Sequence, residues 1–231
     1  MATCSAFTSG EWTVIHTLDT ARHSHISWLS PLGIVLIGGV NYETPSGIRN
    51  AQLLNGTILF TIDRRLRDAC SIGLMETVVV TGGGMVHSES TVVVYNTSGM
   101  VEQLPDMRTP RRDHACGHYV DSNNQVVSCC QRQCACLQCQ KWRILHIFQV
   151  YLVTGGLMPY DSWYSIETDS TELLVQGAAQ WTQAASLPTP RQGLAGATIN
   201  NNIVVTGGDI DCFCMSVITS YRVFLAARAA Q

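Results

Sequence analysis

Ile34-Val-Leu-Ile-Gly38-Gly39 returns three times further along the chain, as Val78-Val-Val-Thr-Gly82-Gly83, Tyr151-Leu-Val-Thr-Gly155-Gly156 and Ile203-Val-Val-Thr-Gly207-Gly208. Each copy is a short β-branched or apolar run stopped by a glycine pair. Such a run predicts a strand buried on both faces. The glycines mark places where the backbone turns sharply or another strand comes close. An internal repeat of this kind outweighs any single motif in deciding the fold.

Two further markers keep register with the doublets. Trp12-Thr-Val-Ile-His-Thr-Leu-Asp-Thr-Ala-Arg22 and Trp181-Thr-Gln-Ala-Ala-Ser-Leu-Pro-Thr-Pro-Arg191 place Trp and Arg ten residues apart. Val101 to Arg111 repeats the phrase without its Trp, and Thr57 to Arg67 is a weaker copy. Arg22 and Arg191 each precede the next doublet by 16 residues, and Arg67 precedes Gly82 by 15. Tyr95 and Tyr221 follow Gly82 and Gly207 by 13 and 14 residues.

Together these markers resemble the kelch repeat, a unit of roughly 50 residues that forms one four-stranded blade of a β-propeller. The resemblance covers the chain outside one insert. It implies an all-β fold in which the doublet ends a blade's second strand, the Tyr lies in the third and the Trp in the fourth. The propeller spans residues 11–231 on this reading, and residues 1–10 are expected to be disordered.

The first glycines of the doublets, at 38, 82, 155 and 207, lie 44, 73 and 52 residues apart. The long middle interval contains Val127–Gln149, with five of the ten cysteines: Cys129, Cys130, Cys134, Cys136 and Cys139. Removing it joins an Asp/Asn turn to Val150 and restores a hairpin. Translated intron is the reading we rank first, ahead of a surface loop and a thiolate metal site. All five cysteines fall within eleven residues, whereas a structural zinc needs paired knuckles separated by a loop.

Strand counting gives about four blades. Three are complete, at about 21–62, 66–104 and 112–184. Glu11–Val14 supplies a fourth strand, and residues after Arg191 supply a first, a second and, near Val217–Phe224, a third. Propellers are commonly closed by pairing such leftovers, which hides their edges. An arc of a six- or seven-bladed ring has the same ends, and that reading is favoured here. An open arc would self-associate.

The composition excludes several classes. Charged residues make up 13% of the chain and the formal net charge is −3, without the clustered Lys and Arg of a nucleic-acid surface. Arg108, Arg111 and Arg112 form a local basic spot. The longest apolar stretch, Ile144–Val153, is about half a membrane span and holds His146 and Gln149. Met1–Gly10 has no signal-peptide pattern. A cytoplasmic protein with reduced thiols is therefore expected.

No nucleophile elbow, phosphate loop or H-E-x-x-H is present. His23-x-His25, His114-x3-His118 and the Asp209, Asp211, Cys212, Cys214 group read as strand and loop residues, so no catalytic, metal or cofactor site is expected. The kelch resemblance implies a protein-interaction scaffold rather than an enzyme. Its partner would be a protein bound by loops on one rim, with Arg22, Arg67, Arg111 and Arg191 as the expected contact residues. The alternative is a carbohydrate or alcohol oxidase, since copper oxidases share this propeller. Only Tyr42, Tyr160 and scattered cysteines lie near the doublets to supply such a site.

Overall fold

The computed structural model describes residues 2–43, 46–84, 87–121, 148–160, 164–209 and 223–225. Among them every regular element is a β-strand and every strand pair is antiparallel. A hairpin of β1 (Ala2–Thr8) and β2 (Glu11–Leu18) comes first. Residues 2–8 are thus a strand where the sequence predicts disorder.

Three four-stranded meanders follow. Sheet one contains β3 (Ile26–Ser30), β4 (Gly33–Ile37), β5 (Asn50–Leu53) and β6 (Ile58–Thr61). Sheet two contains β7 (Cys70–Gly73), β8 (Val78–Thr81), β9 (Val92–Asn96) and β10 (Gly99–Leu104). Sheet three begins with β11 (Ala115–Asp121) and β12 (Phe148–Thr154). A short hairpin, β13 (Leu157–Pro159) and β14 (Ser165–Glu167), intervenes before β15 (Thr171–Val175) and β16 (Thr182–Ala184) complete it. Sheet four contains β17 (Gln192–Ile199), β18 (Asn202–Asp209) and β19 (Val223–Leu225). Asn200 and Asn201, both at positive φ, make the tight turn between β17 and β18, a backbone shape that Asn tolerates well.

β11 and β12 pair directly, Asp121 with Phe148 and Tyr119 with Val150. The cysteine-rich residues 127–147 lie outside the described residues. Phe148 and Gln149, expected to belong to that insert, pair within β12. The third strand expected near Val217–Phe224 is described at Val223–Leu225.

The doublet runs of sheets two and three are buried on both faces because each of these sheets is packed between two neighbours. Val78 and Val80 join Val35, Ile37, Trp28 and Ala51 in the core between sheets one and two. Val79, one residue along, joins Tyr151, Val153 and Trp181 between sheets two and three. Leu152 then meets Ile203 and Val205 between sheets three and four. Alternate side chains leave opposite faces of a strand, so consecutive valines serve consecutive joints. This is why the run is continuously apolar.

The first strands of the four sheets stand side by side, β3 by β7, β7 by β11 and β11 by β17. The doublets sit at one end of this row. The second glycine of the first three pairs donates to the backbone leading into the next sheet: Gly39 N to Leu66 O (2.8 Å), Gly83 N to Arg111 O (2.9 Å) and Gly156 N to Arg191 O (2.6 Å). All eight doublet glycines have φ between 58° and 93°, a region that costs an ordinary residue roughly 1–2 kcal/mol.

A disulfide between Cys70 and Cys116 fastens β7 to β11, with 6.0 Å between their Cα atoms. This corrects the expectation of reduced thiols at these two positions. The crosslink spans 46 residues, and restricting a loop of that length in the unfolded chain contributes about 4 kcal/mol on the chain-entropy account. Cys70→Ser should lower the melting temperature. Reductant should lower it for the wild type and leave Cys70→Ser unchanged, as read by thermal melts with and without dithiothreitol.

Candidate functional site

The marker arginines face inward. Arg22 donates through Nη1 to the Gly38 carbonyl (3.1 Å) and Asn50 Oδ1 (3.2 Å), and through Nη2 to Gln52 Oε1 (2.5 Å). Arg111 repeats this in sheet three. Its Nη1 reaches the carbonyls of Gly155 and Ser170, both at 3.0 Å, and its Nη2 reaches Ser170 Oγ (3.0 Å) and Glu172 Oε1 (2.6 Å). Arg191 points Nη1 at the carbonyls of Gly207 (3.5 Å) and Gly208 (3.3 Å). In each case the guanidinium caps the carbonyls at its own sheet's doublet.

Arg22, Arg111 and Arg191 are therefore buried and committed internally, which corrects their assignment as partner contacts. Arg67 differs: its side chain remains 39% exposed beside Asp68, with Nε to Oδ2 at 3.0 Å. Arg111 and Glu172 form an ion pair almost wholly removed from water. Burial lowers the Arg111 pKa, and Glu172 opposes that shift. Glu172 also accepts the backbone N–H groups of Arg108 (2.7 Å) and Thr109 (3.0 Å), so removing its carboxylate would strand one buried charge and two donors. Breaking such a pair typically costs about 3–5 kcal/mol.

One constellation was not anticipated from the sequence. Ser24, Asp68 and Asp113 have φ of 55°, 54° and 52°, and Gly193 has 65°. They follow the marker arginine by two residues, or by one in the second sheet. Backbone bonds link them in series: Asp68 N to Ser24 O (3.3 Å), Asp113 N to Asp68 O (2.9 Å) and Gly193 N to Asp113 O (2.9 Å). Ordinary residues held in this region are a recognised mark of functional positions. The signal in the sequence was a small or polar residue one or two positions after Arg, with Asp and Gly the types that tolerate left-handed backbone best.

This row brings Asp68 and Asp113 together. Burial and then the Asp68 charge push the Asp113 carboxyl up to about 6, against the pull of Arg112 and Arg67. Charged side chains of both signs, Asp68 and Asp113 with Arg67 and Arg112, thus lie together at the doublet end of the sheets.

The loops leaving the doublets add aromatic side chains. Tyr42 is 98% exposed, Tyr160 71% and Tyr164 69%. His23 bridges to Val40 along the first of these loops, and its ring lies 6.5 Å from that of Tyr42. Arg112 bridges in the same way to Leu157. Both loops therefore lie next to the segments that carry the left-handed row.

His114 has an internal setting: it is buried, with Nε2 2.8 Å from Thr81 Oγ1. Burial, reinforced by Arg111, lowers its pKa to about 3. Among the described residues no three His, Cys, Asp or Glu side chains are grouped to hold a metal, and no helix is long and apolar enough to cross a membrane. Asp211, Cys212 and Cys214 lie outside the described residues.

No family model and no curated protein matches the chain. Its fold is similar to that of the solved structure of YjhT, with a TM-score of 0.68 over 95% of this chain and 71% of that one. Sequence identity is 10%, so the likeness concerns fold alone.

Asp113 has a raised pKa in the folded chain, so the folded state holds that proton more tightly than the unfolded state, where the ordinary value is 3.8. Its contribution to stability is greatest below about pH 4 and is lost as pH rises toward about 6. Asp113→Asn should therefore melt higher than wild type at pH 7, and the two should converge below pH 4.

Proposed function

We propose that this chain is a kelch-type β-propeller, or an arc of one, that serves as a protein-binding scaffold. Its partner site would be the rim formed by the doublet loops and the left-handed row. The fold reading is supported by the same joint recurring between successive meanders, a doublet with an inter-sheet backbone bond, to which sheets one, three and four add an inward arginine. The sheets are not closed into a ring among the described residues, so blade number remains part of the proposal.

The observation that carries the function is the set of exposed tyrosines, Tyr42, Tyr160 and Tyr164, on loops of one rim. Tyrosine offers a large, rigid contact surface with a polar tip and is over-represented among residues that dominate binding energy. Asp68, Asp113, Arg67 and Arg112 stand beside them as polar surroundings. We assign no catalytic role, cofactor or metal to this chain.

The disulfide bears on location. A persisting Cys70–Cys116 bridge fits an oxidising compartment better than the cytoplasm favoured from sequence. Thiol labelling of the native protein distinguishes the two.

The rim reading is tested by affinity capture with wild-type chain and a Tyr42→Ala/Tyr160→Ala/Tyr164→Ala variant. A protein retained at least tenfold more by the wild type, with both chains folded by circular dichroism, is expected. Equal retention of every captured protein would overturn the rim assignment.

A further inference from the structure

Each internal joint is made by two surfaces, a following face on one sheet and a preceding face on the next. The alternation in the second strand identifies both. Val35, Val79 and Leu152 supply the following faces of sheets one to three, and all are buried. Val78, Tyr151 and Ile203 supply the preceding faces of sheets two to four, and these too are buried.

The two remaining faces are open in part among the described residues, although Leu36 and Gln52 on the first of them are buried, Gln52 beneath the Arg22 guanidinium. On sheet one the preceding face carries Ile34, 37% exposed where its counterparts are buried, flanked by Leu29 and Ile58, both more exposed still. Leu29 pairs with Ile34, and Ile58 lies beyond Gln52 and Leu36 on the same face. On sheet four the following face carries Val204, only half-buried, with Ala197 opposite it and exposed Ile199 beyond.

The doublets agree. A side chain at Gly38 or Gly155 would run into Leu66 or Leu194 of the next sheet, and one at Gly82 into the Arg111 carbonyl. Gly207 keeps the same conformation, φ 74°, yet has no atom of the described residues within 4 Å of that position. At the other end Trp12 is 72% exposed, whereas Trp181, its counterpart in the repeat, is 1% exposed with Nε1 bonded to Pro105 O (2.7 Å) of the preceding sheet.

We propose that a second copy of this chain covers these faces, sheet four of one copy seating against sheet one of the next. The two open surfaces are the two halves of the joint already made three times within the chain, so each lacks what the other offers. Their chemistry matches as well: apolar Leu29, Ile34 and Ile58 on one face meet apolar Ala197, Ile199 and Val204 on the other. The contact is heterologous, with different surfaces on the two partners. It does not depend on the rim that binds a partner protein.

A heterologous joint has a signature in mixing experiments. Ile34→Glu spoils the preceding face and Val204→Glu the following face, so neither variant can associate with itself. Mixed together, the intact following face of the first meets the intact preceding face of the second, and a dimer forms. Sedimentation velocity of wild type, each variant and the equimolar mixture reads this directly, with circular dichroism melts confirming that both variants are folded. We expect concentration-dependent association for wild type, monomers for each folded variant and a dimer for the mixture. A wild type that stays monomeric at every concentration, as it would if its own end sheets closed on each other or a further segment of chain covered them, overturns the proposal. So does a mixture of folded variants that stays monomeric, or a variant that still associates with itself.

Discussion

The close approach of backbone to backbone at the glycine doublets is the constraint on which the rest of this structure depends. Four antiparallel sheets, each apolar on both faces, can bury those faces only against one another. For the first strands to stand side by side, the chain leading into each sheet must cross directly over the end of the one before. A Cβ on the doublet would occupy that space, and the positive φ at both positions would strain any other residue. The backbone bonds from Gly39, Gly83 and Gly156 into the next sheet then fix the spacing.

The inward arginines complete the joint. A sharp turn leaves carbonyls pointing into a dry interior, where unsatisfied groups are costly. Arg22, Arg111 and Arg191 cover those carbonyls, with Gln52 or Glu172 on the third strand holding the first two guanidiniums in place. Sheet one manages with a neutral amide where sheet three uses a carboxylate. The role is therefore directional hydrogen bonding, to which charge is an addition.

The all-β character and the strands ending at the doublets were legible because their parts are local: a β-branched run and two glycines lie together in each repeat. What failed involved distance. An arginine in a sequence carries no mark of burial, and the partner that buries Arg111 is 61 residues away. Cys70 and Cys116 were two of ten cysteines, and only the adjacency of β7 and β11 singles them out. The left-handed row is not legible because Ser24, Asp68, Asp113 and Gly193 are of three residue types and share only one backbone shape. Exposed Tyr42 and Tyr160 were seen, but without the row of sheets beneath them nothing placed them on a shared rim.

The paired substitutions Gly82→Ala and Gly207→Ala test the central claim most directly. Both glycines lie in the left-handed region, at φ 58° and 74°, so each alanine carries a similar backbone penalty of roughly 1–2 kcal/mol. Only at Gly82 does the next sheet's backbone occupy the space a methyl would need. Equilibrium denaturation should show Gly82→Ala losing clearly more stability than Gly207→Ala. Equal losses at the two positions would mean that the doublets serve the turn alone and that the joint between sheets rests on something else.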